Sequence, residues 1–155
     1  MSRRKRSKKR FPEADPVYNS YLVSLLTLRI LQNGKKALAQ RLVYQAFDLL
    51  QQKTNLDALI ILEKAIKNVS PVVELKAKRV GGATYQVPIE VKNFRATNLA
   101  LKWIIKFSRE RSGKNMSIKL AREILDASKG LGNSIRKKEE VHRMAEANKA
   151  FSYFK

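Results

Sequence analysis

The stretch Val72–Lys92, VVELKAKRVGGATYQVPIEVK, decides the fold. Its apolar residues alternate as Val73, Leu75 and Ala77 before two glycines and as Tyr85, Val87, Ile89 and Val91 after them. Period-two alternation on both sides of a Gly-Gly pair reads as a β-hairpin. Two turn lengths are open to it. A two-residue turn at Gly81-Gly82 sets Leu75 opposite Pro88 and mixes the faces. A three-residue turn, Gly81-Gly82-Ala83, sets Ala77 opposite Val87, Leu75 opposite Ile89 and Val73 opposite Val91. One face is then apolar and the other carries Lys76, Lys78 and Gln86. The three-residue register is preferred for this segregation, although it sets Glu74 against Glu90, a like-charge pair. An isolated hairpin is at best marginally stable in water, so this one must lean on helices or on a partner.

Helical periodicity accounts for the rest of the chain. Upstream, Ser70-Pro71 stops a third helix that Asn55 caps and that runs to about Asn68. Its inward face is Leu59, Leu62 and Ile66, helped by Ile60, Ala65 and Val69. A second helix follows Lys35-Lys36, with a stripe of Leu38, Leu42, Ala46 and Leu49 flanked by Val43, Phe47 and Leu50. Asp15-Pro16 opens a first helix striped by Tyr18, Leu22, Leu25 and Leu26, and Asn33-Gly34 closes it. Downstream, a fourth helix begins near Ala96–Asn98 and ends before Gly113; Leu101, Trp103, Ile104 and Ile105 make it central. Asn115 caps a fifth, with Met116, Leu120, Ile124 and Ala127 on one face, and Gly130 ends it. A sixth, polar and peripheral, runs from Ser134 to Ala147. The fold class is therefore mainly α: a bundle of six helices with one protruding β-hairpin inserted between helices 3 and 4. Residues 1–14 have no apolar periodicity and read as a disordered basic arm. Residues 15–155 read as a single helical domain with a ribbon at 72–92.

Composition narrows the function. The chain has 155 residues, 44% of them hydrophobic, which is enough for one real core. It has 33 basic and 13 acidic residues, for a net charge of +20. The arm supplies only seven of the cations: Arg3, Arg4, Lys5, Arg6, Lys8, Lys9 and Arg10. The folded body still carries 26 basic against 13 acidic side chains, so it is itself built to meet a polyanion. Without cysteine there is no disulfide or thiolate chemistry. No apolar run reaches the roughly 18 residues of a membrane span, and the basic start runs into Phe11-Pro12-Glu13 instead of a signal-peptide core.

No catalytic constellation is visible, and nothing calls for a cofactor or a metal. The one histidine, His142, has Glu139 and Glu146 on its helical face, an arrangement that ordinary charge pairing explains. Gly34-Lys35-Lys36 lacks the upstream glycine and following Ser/Thr of a phosphate-binding loop. What stands out is basic residues at the edges of elements. They are the arm, Lys35, Lys36 and Arg41, then Lys76, Lys78 and Arg79, then Arg109, Arg111 and Lys114, then Arg136, Lys137 and Lys138. Dispersed clusters suit many phosphate contacts on a folded RNA better than one recognition helix on duplex DNA.

The motifs KAKRVGGATYQVPIEV and IRKKEEVHRMAEANKAF, with MSRR, NGKK and SGKNM in order, closely resemble the bacterial-type small-subunit ribosomal protein seven family. The resemblance covers Asp15 to Phe154. It implies a mostly helical domain with a β-ribbon that acts as a primary binder of the 3′ major domain of small-subunit (16S-type) rRNA. It implies that the protein nucleates assembly of the subunit head and lies near the tRNA exit site and the mRNA path. Carried over, the RNA-contacting residues are Arg3, Arg4, Lys5, Arg6, Lys8, Lys9, Arg10, Lys35, Lys36, Lys76, Lys78, Arg79, Lys114, Arg136 and Lys137, with Gly81 and Gly82 at the ribbon tip. The C-terminal Phe151, Tyr153 and Phe154 would approach the neighbouring platform protein number eleven. The sequence departs from the family in a more basic arm, in Phe94 where a small polar residue is usual, and in its short end at Lys155. The compact end resembles plastid-encoded members, so a plastid (chloroplast) ribosome is expected, with a bacterial cytoplasm as the alternative. The rival function is a free helical regulator of DNA or mRNA built on a helix-turn-helix pair.

Overall fold

We describe the fold from a computed structural model, which defines residues 11–154. The order is α1 (Tyr21–Ile30), α2 (Lys36–Thr54), α3 (Ala58–Val69), β1 (Val73–Val80), β2 (Ala83–Glu90), α4 (Asn93–Glu110), α5 (Met116–Ser128) and α6 (Asn133–Ala147), closed by a short 3-10 helix at Lys149–Phe154. The six helices and the hairpin between the third and fourth are those the periodicity predicts. α5 packs against α2, α3 and α4, while α1 packs against α2 and α4. Leu120, Ile124 and Ala127 of α5 are fully buried, as are Leu101 and Ile104 of α4 and Phe47 and Leu50 of α2. Each large side chain taken out of water contributes about 1.5–3 kcal/mol, which is what holds these short helices together.

Several local expectations fail for identifiable reasons. Asp15 starts only one turn, at 16–18, because Asn19 takes a left-handed φ of 45° and breaks it from α1. Asn55 does not begin α3. It ends α2 in the left-handed conformation, donating to the Gln51 carbonyl, and the α3 N-cap is Asp57, whose carboxylate accepts from the Leu59 amide. In α2 the inward stripe is Ala39, Val43, Ala46, Phe47 and Leu50, while Leu38 is exposed. Ile60 is likewise exposed and Ile61 takes its place in the core. α4 starts three residues early, at Asn93.

The hairpin register is the main correction. Val80 pairs with Ala83, Ala77 with Gln86, Lys76 with Val87 and Leu75 with Pro88. The turn is therefore the two-residue Gly81-Gly82. Both glycines have positive φ, 56° and 89°, as a type I′ turn requires, and that turn matches the twist of the strands. The faces are mixed: Glu74, Lys76 and Lys78 lie across from Ile89, Val87 and Tyr85. The expected Glu74–Glu90 repulsion does not occur, because Glu74 lies across from Ile89.

Candidate nucleic-acid interface

Burial fades from base to tip along β1, while β2 also alternates: Tyr85, Val87 and Ile89 are half-buried or buried and Thr84, Gln86 and Glu90 are exposed. Val73, Glu74 and Leu75 are half-buried, and Lys76 through Ala83 are exposed. On β2, Val87 and Pro88 are buried. Three contacts hold the hairpin, two at its base and one along β2. The Arg95 Nε in the first turn of α4 donates to Glu74 Oε1 at 2.7 Å. The Val72 amide donates to His142 Nε2 on α6 at 3.1 Å. The Tyr85 ring lies against Phe151 of the 3-10 helix, with centroids 5.2 Å apart. Along β1, Lys76, Lys78 and Arg79 are exposed and lead to the Gly81-Gly82 turn, forming a basic edge of the ribbon. A Cβ built on either glycine meets nothing within 4 Å, so it is their positive φ and not crowding that calls for glycine there.

His142 thus has a task that its helix-face glutamates concealed. As an acceptor it must be neutral at Nε2, and burial together with the Lys138 charge lowers its pKa from the usual value. Lys138 also ties α6 down, donating to the Asn68 carbonyl at 2.8 Å.

The other predicted cations occupy different places. Lys35 and Lys36 are exposed at the start of α2, just after a turn in which Asn33 and Gly34 both take positive φ. Lys36 stands beside residues 12–16, across a cavity. Phe11 packs edge-on against Phe94 in the first turn of α4, with centroids 5.6 Å apart. The root of the arm, the first turn of α4 and the base of the hairpin are therefore contiguous. Lys114 is exposed just before α5, whose first turn lies beside Gln45, Asp48 and Leu49 of α2. Arg136 is exposed on α6; Lys137 is paired with Glu140 at 2.8 Å. Arg3, Arg4, Lys5, Arg6, Lys8, Lys9 and Arg10 lie outside the described residues, as does the side chain of Phe154. Phe151 is committed to Tyr85 within the chain, whereas Tyr153 is 94% exposed.

Two basic grooves escaped the reading of the sequence. Arg29 of α1 and Lys102, Lys106 and Arg109 of α4 line one of about 480 Å³. The spacing 102, 106, 109 puts three cations on one helical face, a signal that was available. Lys64, Lys129 and Lys138 line a second groove of about 380 Å³ between α3, the end of α5 and α6. It joins segments far apart in sequence, so no local pattern announces it.

Arg111, in contrast, belongs to the interior. Its Nε donates to Glu123 Oε2 and a terminal nitrogen to Asp126 Oδ2, each at 2.5 Å. The Glu123 side chain is fully buried, and its other oxygen accepts from the Ser134 amide and hydroxyl at the start of α6. Burial opposes the Arg111 charge, but the bonds to Asp126 and Glu123 outweigh it and raise its pKa. Gly132 leads the chain past this knot into α6 with a φ of 96°, a conformation that side-chain-bearing residues rarely adopt. The network ties the end of α4, α5 and α6 together and commits two carboxylates to Arg111.

Among the described residues, no group of three or more His, Asp or Glu side chains could hold a metal, and no helix is long and apolar enough to cross a membrane. The arrangement can bind a polyanion through many separate cations around a rigid helical body.

Comparison with known proteins agrees with this geometry. The family model described as ribosomal protein S7p/S5e matches residues 2–149. The chain is 64% identical over 144 residues to the small ribosomal subunit protein uS7c of Trieres chinensis, covering 93% of this chain and 91% of that one. It is 56% identical over 155 residues to uS7 of Thermosynechococcus vestitus and 52% identical over 155 residues to uS7 of Synechococcus elongatus. Each of these two alignments covers 100% of this chain and 99% of the relative.

Proposed function

The chain belongs to the ribosomal protein S7p/S5e family, and from that membership we propose that it is a structural constituent of the small ribosomal subunit that binds the 3′ major domain of its rRNA. The family consists of structural ribosomal proteins, and the chain acts as one of them and not as an enzyme. The observation that carries the reading is the family match over nearly the whole chain. A basic hairpin with an anchored base and an exposed tip supports it.

In this reading the protein binds early and nucleates assembly of the subunit head. The 1–14 arm, Lys35, Lys36, Lys114, Arg136 and Lys137 contact rRNA phosphates, while residues 15–155 form one domain. Lys76, Lys78 and Arg79 carry the ribbon along the RNA toward the tRNA exit site and mRNA path, with Gly81 and Gly82 leading. The C-terminal helix meets the platform protein number eleven through Tyr153, since Phe151 packs inward on Tyr85. A plastid ribosome is favoured by the uS7c relative, at 64% identity against 56% and 52% for the cyanobacterial proteins. The test is sedimentation: the protein stays with small ribosomal subunits through a high-salt wash. Recovery in the free fraction, together with specific binding to duplex DNA, would sink the proposal in favour of the regulator.

A further inference from the structure

The three contacts that hold the ribbon act at different points along it. The bonds from Arg95 to Glu74 and from Val72 to His142 secure the end next to the helices. The ring contact of Tyr85 with Phe151 acts much farther out. Tyr85 lies across from Lys78, and only the Arg79–Thr84 and Val80–Ala83 pairs separate it from the Gly81-Gly82 turn. A two-stranded ribbon is marginally stable on its own, so a support near its outer end sets how sharply that end is placed.

That support is built from the end of the chain. In the 3-10 helix, Lys149, Ala150 and Tyr153 are exposed, while Phe151 is half-buried. A terminal segment this short keeps one conformation only where something ties it down. Asn148 does so at one end. Its amide and its side-chain nitrogen both donate to the Met144 carbonyl of α6, at 3.2 and 2.8 Å, and its own carbonyl accepts from the Phe151 amide at 3.0 Å. The Phe151 ring then meets the Tyr85 ring, with centroids 5.2 Å apart and planes inclined at 44°. α6 is itself tied to the body, since Lys138 donates to the Asn68 carbonyl at the end of α3. A continuous path therefore runs from α3 through α6, Asn148 and Phe151 to Tyr85, and across the strands to Lys78.

Where this path ends gives its consequence. Lys76, Lys78 and Arg79 of β1 lie across from Val87, Tyr85 and Thr84 of β2, so the aromatic contact is made at the level of the ribbon cations. A cation holds a phosphate only at hydrogen-bonding distance, and ordering a mobile segment at the moment of binding costs affinity. A ribbon already held at Tyr85 avoids that loss. We infer that Phe151 is a positioning residue for RNA binding, which holds Tyr85 so that the ribbon cations are in place before RNA arrives. The inference rests on the rRNA-binding function proposed above and gives a part in it to a side chain without charge.

The test uses the full chain and a transcript of the small-subunit rRNA 3′ major domain, with affinity measured by titration. The chain has no cysteine, so Ala83→Cys beside the turn carries a single tethered iron–EDTA, whose cleavage of the transcript reports where the ribbon end sits. Phe151→Ala binds about twofold to tenfold more weakly, as expected for one lost aromatic contact, and spreads the tethered cleavage over more nucleotides. Phe151→Tyr keeps the ring and restores both. Tyr85→Ala gives the same loss from the other side of the contact, and combining it with Phe151→Ala adds nothing. In a protein that already carries Lys76→Ala, Lys78→Ala and Arg79→Ala, Phe151→Ala changes affinity by less than about twofold, because the ribbon has no cations left to position. Wild-type affinity and cleavage in Phe151→Ala would overturn the inference while leaving rRNA binding standing. So would an equal loss with and without the ribbon cations, which would give Phe151 to the fold or to an RNA contact of its own. A wild-type protein that holds the transcript no tighter than an unrelated RNA of equal length would overturn both.

Discussion

The hairpin should separate binding from stability. Consider Lys76→Ala, Lys78→Ala and Arg79→Ala made together, beside Val87→Asp. The three cations are exposed along β1, and exposed charges are each worth about 1 kcal/mol or less to the fold. The triple variant should therefore melt within a few degrees of the wild type. Its rRNA affinity should fall, and because each phosphate contact contributes about 0.7–0.9 to the log–log salt slope, that slope should shrink by about 2 to 3. Val87, across from Lys76 in the middle of the ribbon, is 1% exposed. Replacing it loses the roughly 1.5–3 kcal/mol of burial and adds a carboxylate where an unpaired polar group costs about 2–7 kcal/mol. Against a total stability of about 5–15 kcal/mol, that detaches the hairpin or unfolds the chain. Circular dichroism melting and RNA titration on both proteins decide the matter. Early melting of the triple variant with normal melting of Val87→Asp would refute this division between exposed β1 cations and the buried side of β2. So would an unchanged salt slope in the triple variant.

Two further perturbations probe what holds the ribbon and the body. His142→Ala leaves the Val72 amide to water and should loosen the hairpin base by about 1 kcal/mol, seen as faster amide exchange at Val72. Since the folded-state pKa of His142 is lowered, its contribution is present above the ordinary value of about 6.5 and is lost as the pH falls through the folded value; faster exchange at Val72 on acidification, absent in the alanine variant, is the signature. Arg111→Ala strands the fully buried Glu123 carboxylate and should cost about 3–5 kcal/mol by chemical denaturation. Adding Glu123→Gln to that variant should recover part of the loss, and no recovery would mean that the pair is not what holds the end of α4 to α5.

Element types and order were legible because amphipathic periodicity and turn residues agree along the chain. The hairpin register was not, since alternation alone preferred segregated faces. The ribbon instead buries its base under α6 and the 3-10 helix, and Gly81-Gly82 alone makes the turn. Asn55 looked like a helix start because the same residue type favours both the N-cap and the left-handed C-cap; Asp57, two residues on, does the capping. Glu123 lies one helical turn from Leu120 on the buried face of α5, a visible anomaly whose partners come from α6 and from the residue after α4. His142 drew attention to glutamates on its own helix while its real partner is 70 residues away. The cations of the proposed interface could be named from sequence because exposure is their ordinary state. Which of them line grooves depended on how helices pack, and so Lys102, Lys106 and Lys64 were missed.

The most direct measurement of the central claim is the affinity of the full chain for a transcript of the small-subunit rRNA 3′ major domain as salt is raised. Contacts spread over the arm, ribbon and helix edges predict specific binding with a log–log slope of about −4 or steeper, corresponding to on the order of six neutralised phosphates. A slope near −1 would mean that the cations are solvated surface, and would contradict the account.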